Sequence, residues 1–298
     1  MSEDDAPVAA HRAGFVALLG PPNTGKSTLL NQVLGEKLAI VSGKPQTTRS
    51  RILGICNRPG GQLLFVDTPG LHEGTRPLNA ALNKAVEEAA GDCDLGLLLV
   101  DPRPGWTELH QRLLDVLSGR GVPAIGVGTK SDLPRAEVEW PDAVRSVLAG
   151  TFAVSGRTGA GVEALVDGVT ERLPEGPPLY PDDALTDRPV RWLAAELVRE
   201  AAFEELEQEL PYAIAVEVVR FDESREGRVH IDANVLVSRD SQKRIVVGSG
   251  GQVIKRIGIR ARRGIEELLD TRVGLKLFVK VDPRWLKSPK RIASLGYR

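Results

Sequence analysis

Cysteine is scarce in this chain: Cys56 and Cys93 are the two among 298 residues, and they stand at no metal-binding spacing. That excludes a disulfide-stapled scaffold and a thiolate metal site, and fits buried free thiols in a reducing compartment. Long apolar runs are missing too, since LGLLLV (95–100) is strand-sized and far short of a membrane span. The amino terminus, MSEDDAPVAA, is acidic and has neither an apolar core nor arginine enrichment, so no secretory or transit signal is expected. A cytoplasmic location is therefore the expectation. Internal repeats and low-complexity segments are absent as well.

What is present is charge sorted along the chain. Residues 220–298 carry 19 Lys and Arg against 9 Asp and Glu, while the whole chain has 39 against 40. The last quarter is therefore strongly basic and the rest acidic, which suits one half that meets a polyanion or simply a solvated basic surface. At this length two domains are expected. Short apolar runs at FVALLG (15–20), GQLLFVDTPG (61–70), DLGLLLVD (94–101), PAIGVGTKSD (123–132) and TFAVSG (151–156) each end in turn chemistry, with helical stretches at 109–119 and 162–173. Unalternating runs of this kind predict a doubly wound, mostly parallel α/β sheet. Five prolines in PEGPPLYPDDALTDRP (174–189) then exclude a long helix or a central strand. The expected division is a tail (1–13), a nucleotide-binding domain (14–175), a linker (176–189) and a smaller α+β domain with a short tail (190–298). That last domain reads α-β-β-α-α-β: a helix over 190–210, strands over 212–221 and 228–238, a glycine loop within IVVGSGGQVIKRIG (245–258), a helix to about Leu269 and a strand over 274–281. IVVG itself reads as a strand-like run.

GPPNTGKST (20–28) fits G-x-x-x-x-G-K-[ST] between a strand and a helix. Backbone N–H groups of Gly20 and of Asn23 through Thr28, including Thr24 and Gly25, would cradle phosphates at the helix N-terminus. Lys26 would reach the β- and γ-phosphates, and the Ser27 hydroxyl would ligate Mg2+. In DTPG (67–70), Asp67 would serve the Mg2+ shell, directly or through water, and Gly70 would offer its N–H to a γ-phosphate. TKSD (129–132) selects the base: Asp132 can accept from both N1–H and the exocyclic amine of guanine, with Thr129 beside it and Lys130 along the purine face. In SGRTG (155–159), Ser155, Gly156 and Arg157 would bring a backbone N–H to the guanine oxygen. Four such motifs at strand ends predict a GTPase. KPQTTRSRI (44–52) stands where a first switch belongs, with Thr48, next to Arg49, favoured over Thr47 as a further Mg2+ ligand. Two usual residues are missing. Thr129 replaces an asparagine, which removes an amide that ties neighbouring loops, and Leu71 replaces the glutamine that orients water in many GTPases. Slow turnover is expected, with Lys26, Thr48 and Gly70 left to act on the phosphates.

Gly248-x-x-Gly251 fails as a dinucleotide fingerprint, because the full spacing and the βαβ setting are missing. It suits a KH loop, where a G-x-x-G turn between two helices lets a single-stranded RNA backbone pass close. Ser249 and Gly250 at the tip carry no charge. Gln252, Ile254, Lys255, Arg256 and Arg260, with Arg262 and Arg263 beyond, would supply contact and phosphate attraction.

Taken with KPQTTRSRILGI (44–55), DTPGLH (67–72), LPYAIAVEV (210–218), VVGSGGQVIKRIGIRAR (246–262) and SLGYR (294–298), the chain resembles the Era family of bacterial GTPases over essentially its whole length. The resemblance implies a P-loop GTPase domain followed by a type II KH domain, with Mg2+ and GTP or GDP at the first. It implies a switch that binds 16S ribosomal RNA near its 3′ end and helps mature the 30S subunit, with GTP favouring the RNA-competent form. It also implies peripheral contact with the inner membrane, and a monomer is expected. A second reading is a nucleotide-gated RNA-binding module in which hydrolysis only resets the switch. A third, a translation or signalling GTPase with an unrelated C-terminal domain, is weakened by the KH match. Asn23 has a side-chain carbonyl that can help hold a monovalent cation, potassium, near the phosphates. If it does, GTP turnover is faster in potassium than in sodium at equal ionic strength, and equal rates would exclude the cation.

Overall fold

The computed structural model describes residues 11–44, 47–71, 77–134, 137–225 and 227–297. Most of the expected tail lies outside these, as do Pro45, Gln46, His72 and Arg298 of the quoted motifs. The chain divides into two compact units. The first holds the described residues up to Glu36 together with Ile52–Thr68 and Val86–Asp187; the second holds Lys37–Arg51, Pro69–Ala85 and Arg188 onward.

The first unit is built on strands β1 (Arg12–Leu19), β2 (Ile52–Arg58), β3 (Gly61–Asp67), β4 (Leu95–Val100), β5 (Ala124–Gly128) and β6 (Thr151–Ala153). Its helices are α1 (Lys26–Leu34), α3 (Glu108–Gly119), the short α4 (Asp142–Arg145) and α5 (Val162–Thr170); α2 (Pro77–Gly91) begins among residues of the second unit. The strand order is β2-β3-β1-β4-β5-β6, parallel throughout except for β2 against β3. β3 and β4 are buried along their whole length, as unalternating apolar runs require when both faces are covered. The antiparallel edge strand β2 and helix α2 were not anticipated from the sequence. Helix α5 stops at Thr170, short of the anticipated 173.

β2 is an edge, and an edge strand needs its outer backbone groups covered. The proline-rich stretch covers it: Ile55 N–H donates to Leu185 O (2.9 Å) and the Asn57 amide to Asp182 O (2.8 Å). Next to it the buried Gln62 clamps the same stretch. Its Oε1 accepts from the N–H groups of Leu179 (2.7 Å) and Tyr180 (2.9 Å), and its Nε2 donates to Tyr180 O (2.9 Å). Tyr180 and Ala184 then pack against Leu53, Ile55, Leu64 and Val66.

The second unit contains α6 (Val190–Glu205), β7 (Ala215–Arg225), β8 (Arg228–Val237), α7 (Asp240–Val247), α8 (Gln252–Leu269), β9 (Arg272–Val281) and α9 (Pro289–Ser294). Its sheet runs β7-β8-β9, antiparallel then parallel. Alternation along β8 turns Val229, Ile231, Ala233 and Val235 toward α6 and α8, where Ala194, Val198, Ile257, Ala261 and Ile265 complete the core. The three α8 residues are spaced by four, one buried stripe flanked by the partly buried Val253, Ile254, Leu268 and Leu269. IVVG, read from the sequence as strand-like, is instead the end of α7 and its cap. A short apolar run is ambiguous by periodicity alone, and here Gln242 settles it: its Oε1 accepts from the N–H groups of Ser238 (2.9 Å) and Arg239 (3.1 Å), starting a helix. The helix anticipated over 190–210 ends at Glu205, and α9 is an addition.

Gln62→Ala removes all three hydrogen bonds of the clamp. It is expected to cost about 2–3 kcal/mol and to speed limited proteolysis between residues 176 and 187; an unchanged cleavage rate would show that the stretch is held by other contacts.

Candidate functional site

β1 delivers the chain into the loop 20–28, and α1 opens at Lys26. Gly25 turns that corner at φ 99°, where a Cβ is strongly disfavoured, so the N–H groups that follow can point into the loop. Lys26 is buried within it. Its Nζ donates to Gly20 O (3.0 Å) and Pro21 O (2.8 Å), and Thr24 Oγ1 also donates to Pro21 O (2.9 Å). Burial pushes the Lys26 amine down to about 8, partly opposed by the charge of Asp67. Ser27 Oγ donates to Asp67 Oδ2 at 2.6 Å, which sets a hydroxyl and a fully buried carboxylate side by side. These are hard oxygen donors. Among the described residues no three His, Cys, Asp or Glu side chains gather to hold a metal. An ion at Ser27 and Asp67 would thus need water or phosphate oxygens as well, which is how Mg2+ is commonly held; the donor set fits it.

Beside the loop lies a cavity of about 320 Å3 lined by Thr28, Leu29, Thr129, Lys130, Asp132 and Gly156, among others. Asp132 Oδ1 accepts from Ser155 Oγ (2.6 Å) and Oδ2 from the Arg157 guanidinium (2.6 Å). The Ser155 hydroxyl, and after it Arg157, hold the Asp132 carboxyl below the usual carboxylate range, keeping it a pure acceptor at neutral pH. The buried Thr129 turns both its N–H (2.9 Å) and its hydroxyl (3.2 Å) to Val100 O, at the end of β4. The tie to the phosphate loop comes from Lys130, whose Nζ donates to Asn23 O (2.8 Å) and to Asp101 Oδ2 (2.5 Å). Burial would raise the Asp101 carboxyl, but donors on Arg103 and Lys130 outweigh it and leave it far below its ordinary value. Asp101 was not singled out from the sequence; its position directly after an apolar strand was the available signal.

Thr47, Thr48, Gly70 and Leu71 belong to the second unit. Thr47 Oγ1 donates to Lys44 O (2.6 Å), Thr48 is buried and Leu71 is buried. The segment around the threonines is bound to α6 and its surroundings. Glu200 takes Lys37 Nζ (2.7 Å) and Val41 N–H (3.1 Å), and Lys44 Nζ donates to Phe203 O and to Leu206 O (2.6 Å). Arg49 is fully buried. Its guanidinium donates to Ile214 O (2.6 Å), Pro211 O (3.1 Å) and Tyr212 O (3.1 Å), and Phe203, Trp285 and Tyr297 stand around it at 5.4, 5.9 and 5.8 Å. Burial pushes its pKa down to about 10, with Tyr297 opposing, so Arg49 stays charged at neutral pH. The sequence offered nothing to mark this residue beyond its place next to Thr48.

The second glycine loop joins α7 to α8. Gly248 lies at φ 75°, and a Cβ there would come within 2.5 Å of the Val253 side chain and 2.9 Å of its backbone N. Its glycine is therefore demanded by the protein's own packing. Gly251 has open space around it. A cavity of about 550 Å3 beside Gly248 is lined by Asp240, Lys243, Arg244 and Val247. Of the residues singled out from the sequence, Ser249, Gly250, Gln252 and Lys255 are exposed and Ile254 is half-buried against the core. Arg256 and Arg260 are already engaged: Arg256 Nε donates to Glu205 Oε2 (2.7 Å), and Arg260 pairs with Glu204 and, at 3.6 Å, with Glu205. Lys243 and Arg244 on α7 were passed over, although the QKR stretch just before the loop carried the signal.

A phosphate loop opening a helix, hard oxygens beside it and a base-sized cavity, followed by a KH-type glycine loop, define a P-loop GTPase with a C-terminal KH domain. The family described as 50S ribosome-binding GTPase matches residues 15–130, and the KH domain family matches residues 209–286. GTPase Era of Geobacter metallireducens is 45% identical over 291 residues, 96% of this chain and 98% of that one; GTPase Era of Lacticaseibacillus paracasei is 40% identical over 97% and 98%. Among solved structures, a single-substitution variant of Aquifex aeolicus Era bound to GDP·AlF4− is 35% identical with a TM-score of 0.90, covering 96% of this chain and 99% of that one. Era in complex with MgGDPNP and nucleotides 1506–1542 of 16S ribosomal RNA is 34% identical with a TM-score of 0.88 over the same shares. The chain belongs to the Era family of GTPases.

A lysine with a folded-state pKa near 8 and an unfolded value of 10.5 weakens the fold fully below pH 8, and the penalty fades as pH rises from 8 to 10.5. The shift corresponds to about 3 kcal/mol, less what its two hydrogen bonds return. Lys26→Met is therefore expected to stabilise the ligand-free protein by about 1–3 kcal/mol at pH 7 and by clearly less at pH 10, measured by denaturant melts. An equal gain at both pH values would place the strain elsewhere.

Proposed function

We propose that this chain is a guanine-nucleotide switch that hydrolyses GTP with water to GDP and phosphate, and that it binds the 3′ region of 16S ribosomal RNA through its KH domain during maturation of the 30S subunit. One observation carries the reading: Asp132, held ionised at the wall of a base-sized cavity next to a lysine-bearing phosphate loop, within a chain that also holds a KH loop. The solved Era complexes with GDP·AlF4−, and with MgGDPNP and the RNA fragment, support it. In this reading Asp132 accepts from the guanine edge, Lys130 lies along the purine, and Ser155, Gly156 and Arg157 border the base, with Thr129 bracing the loop. Backbone N–H groups of the loop from Asn23 to Thr28, with that of Gly20, receive the phosphates. Lys26 exchanges its loop carbonyls for phosphate oxygens, which relieves its burial. Ser27, Asp67 and, in the triphosphate state, Thr48 would hold Mg2+, which supplies charge neutralisation on the phosphates when bound. Gly70 offers its N–H to the γ-phosphate. Leu71 cannot orient water, so turnover on the isolated chain is slow.

On the RNA side, Gly248–Gly251 admits the backbone while Lys243, Arg244 and Lys255 attract phosphate; Gln252 and Ile254 border the path. Potassium near Asn23, a peripheral membrane contact and a monomeric state belong to the same proposal. No helix among the described residues is long and apolar enough to cross a membrane.

The test uses an RNA of nucleotides 1506–1542 and measures its binding with GDP or a non-hydrolysable GTP analogue, alongside GTP turnover with and without small subunits. RNA binds more tightly with the analogue. Gly251→Asp, which has room at its own site and a residue type tolerant of left-handed backbone, weakens RNA binding at least about tenfold and leaves intrinsic GTP hydrolysis unchanged. RNA binding that survives this substitution would overturn the assignment of RNA contact to this loop.

A further inference from the structure

The sheet of the second unit has a face that neither glycine loop uses. Along β9, Leu275, Leu277 and Val279 pack toward the helices, so Lys276, Phe278 and Lys280 point to the opposite, outer face. Phe278 is 49% exposed there, an unusual position for a side chain most often found buried. Lys276 and Lys280 are exposed two residues before and after it and make no ion pair among the described residues. The chain that follows β9 carries the charge onward. Trp285, Ile292 and Tyr297 pack on Ala215 and Leu236 of the same outer face. Between them a cavity of about 390 Å3 is lined by Asp282, Arg284, Ser288, Lys290, Arg291 and Ser294. Arg291 is fastened to Glu217 (3.1 and 3.2 Å), which shares a cross-strand row with Asn234 and Phe278. Two strand spacings, about 10 Å, therefore separate this bridge from the aromatic position. We propose that the outer face is a second binding surface for single-stranded RNA, with an unpaired base stacked on Phe278. Lys276 and Lys280 hold the flanking phosphates, and Arg284 and Lys290 of the cavity take those beyond. The proposal rests on the reading of this chain as an RNA-binding protein.

Charge and geometry both favour this occupant. The carboxylates around the strip are largely spent: Glu217 and Asp282 on Arg291, and Asp222 on Arg220. Asp232, opposite Lys276 in the register, is the acidic residue of β8. Against it stand Lys276, Lys280, Arg284, Lys287 and Lys290, all exposed and without an ion pair among the described residues. Arg256 and Arg260 near the glycine loop, by contrast, are already paired. Alternate residues of a strand lie about 6.6 Å apart on one face, so the ring has a cation on each side along β9. A base can then cover the ring while its neighbouring phosphates meet the lysines. Every base has a π-face, so such a platform accepts single strands with little regard to sequence. In a duplex those faces are closed by stacking, which excludes it. A lipid surface is gripped by a broad apolar face, whereas the strip around Phe278 is cationic or polar.

The test uses the full chain and an unstructured single-stranded RNA of about 16 nucleotides. Affinity is measured across a salt series for wild type, Phe278→Ala, Phe278→Trp and Lys276→Gln/Lys280→Gln, and ultraviolet crosslinks are mapped by mass spectrometry. Wild type crosslinks both within 248–256 and within 276–290. Phe278→Ala weakens binding about 5-fold or more and loses the second set of crosslinks while keeping the first. Phe278→Trp retains the affinity and both sets. The double glutamine variant lowers the salt slope by about 1.4 for two lost phosphate contacts. Wild-type crosslinks confined to 248–256, with affinity unchanged in Phe278→Ala and slope unchanged in the double variant, overturn the second surface and leave the loop reading intact. Should Phe278→Ala fail to fold, the slope of the double variant and the crosslink map decide. Binding of phosphatidylglycerol vesicles that Phe278→Ala abolishes, with RNA affinity untouched, assigns the face to lipid and overturns the proposal. A wild type that binds no RNA overturns the RNA reading itself, and this surface with it.

Discussion

A buried cation must find oxygen atoms to replace its water, because an unpaired charge in the interior is among the costliest things a fold can carry. Lys26 lives under that constraint. The loop that surrounds it bends two of its own carbonyls onto the ammonium, and even so burial brings the amine down to about 8. Much else in the first unit follows: the glycine corner at Gly25 that turns N–H groups inward, the Ser27–Asp67 pair beside it, and the Lys130 contact to Asn23 O that braces the loop from the base side. A site strained in this manner has free energy to release on meeting an anion, which is what a phosphate loop is for.

The second unit solves the same problem differently. Arg49 is buried with three carbonyls and three aromatic rings around it. Its partners come from the end of α6, the turn into β7 and the residues after β9, so one guanidinium fastens three separate parts of the KH unit. Arg256 and Arg260 of α8 form a third class. They are paired with Glu204 and Glu205 but remain half in water, where exchange of one anion for another is cheap.

Legibility in the sequence tracked how local each feature was. The phosphate loop, the Asp67 and Asp132 motifs and the KH loop are contiguous, so their residue types and spacing survive in one dimension. The buried parallel strands showed as apolar runs. Strand β2 starts at Ile52, where the stretch read as a switch ends, and was not read as a strand; IVVG was read as strand-like when Gln242 starts a helix through it. The stretch 174–189 was legible as lacking helix and central strand, but its fastening to Gln62 and to the edge of β2 depends on residues more than a hundred positions away. A need for glycine at Gly248 was expected from RNA; the contact that the structure itself gives is with Val253.

What the sequence by itself determined is what is complete within a few neighbouring residues: the phosphate loop, the GTPase motifs, the KH-type glycine turn, and the family that combines them. Tertiary structure alone decided which charges are spent and which are available. Arg49 next to Thr48, and Lys255, Arg256 and Arg260 after the second glycine loop, are alike as letters, yet one is buried in a cage, two are held by carboxylates and one is exposed with no ion pair among the described residues. The difference arises because a cation's partners are chosen by distance in space, and the fold brings oxygen atoms from some 50 to 165 positions away to meet it.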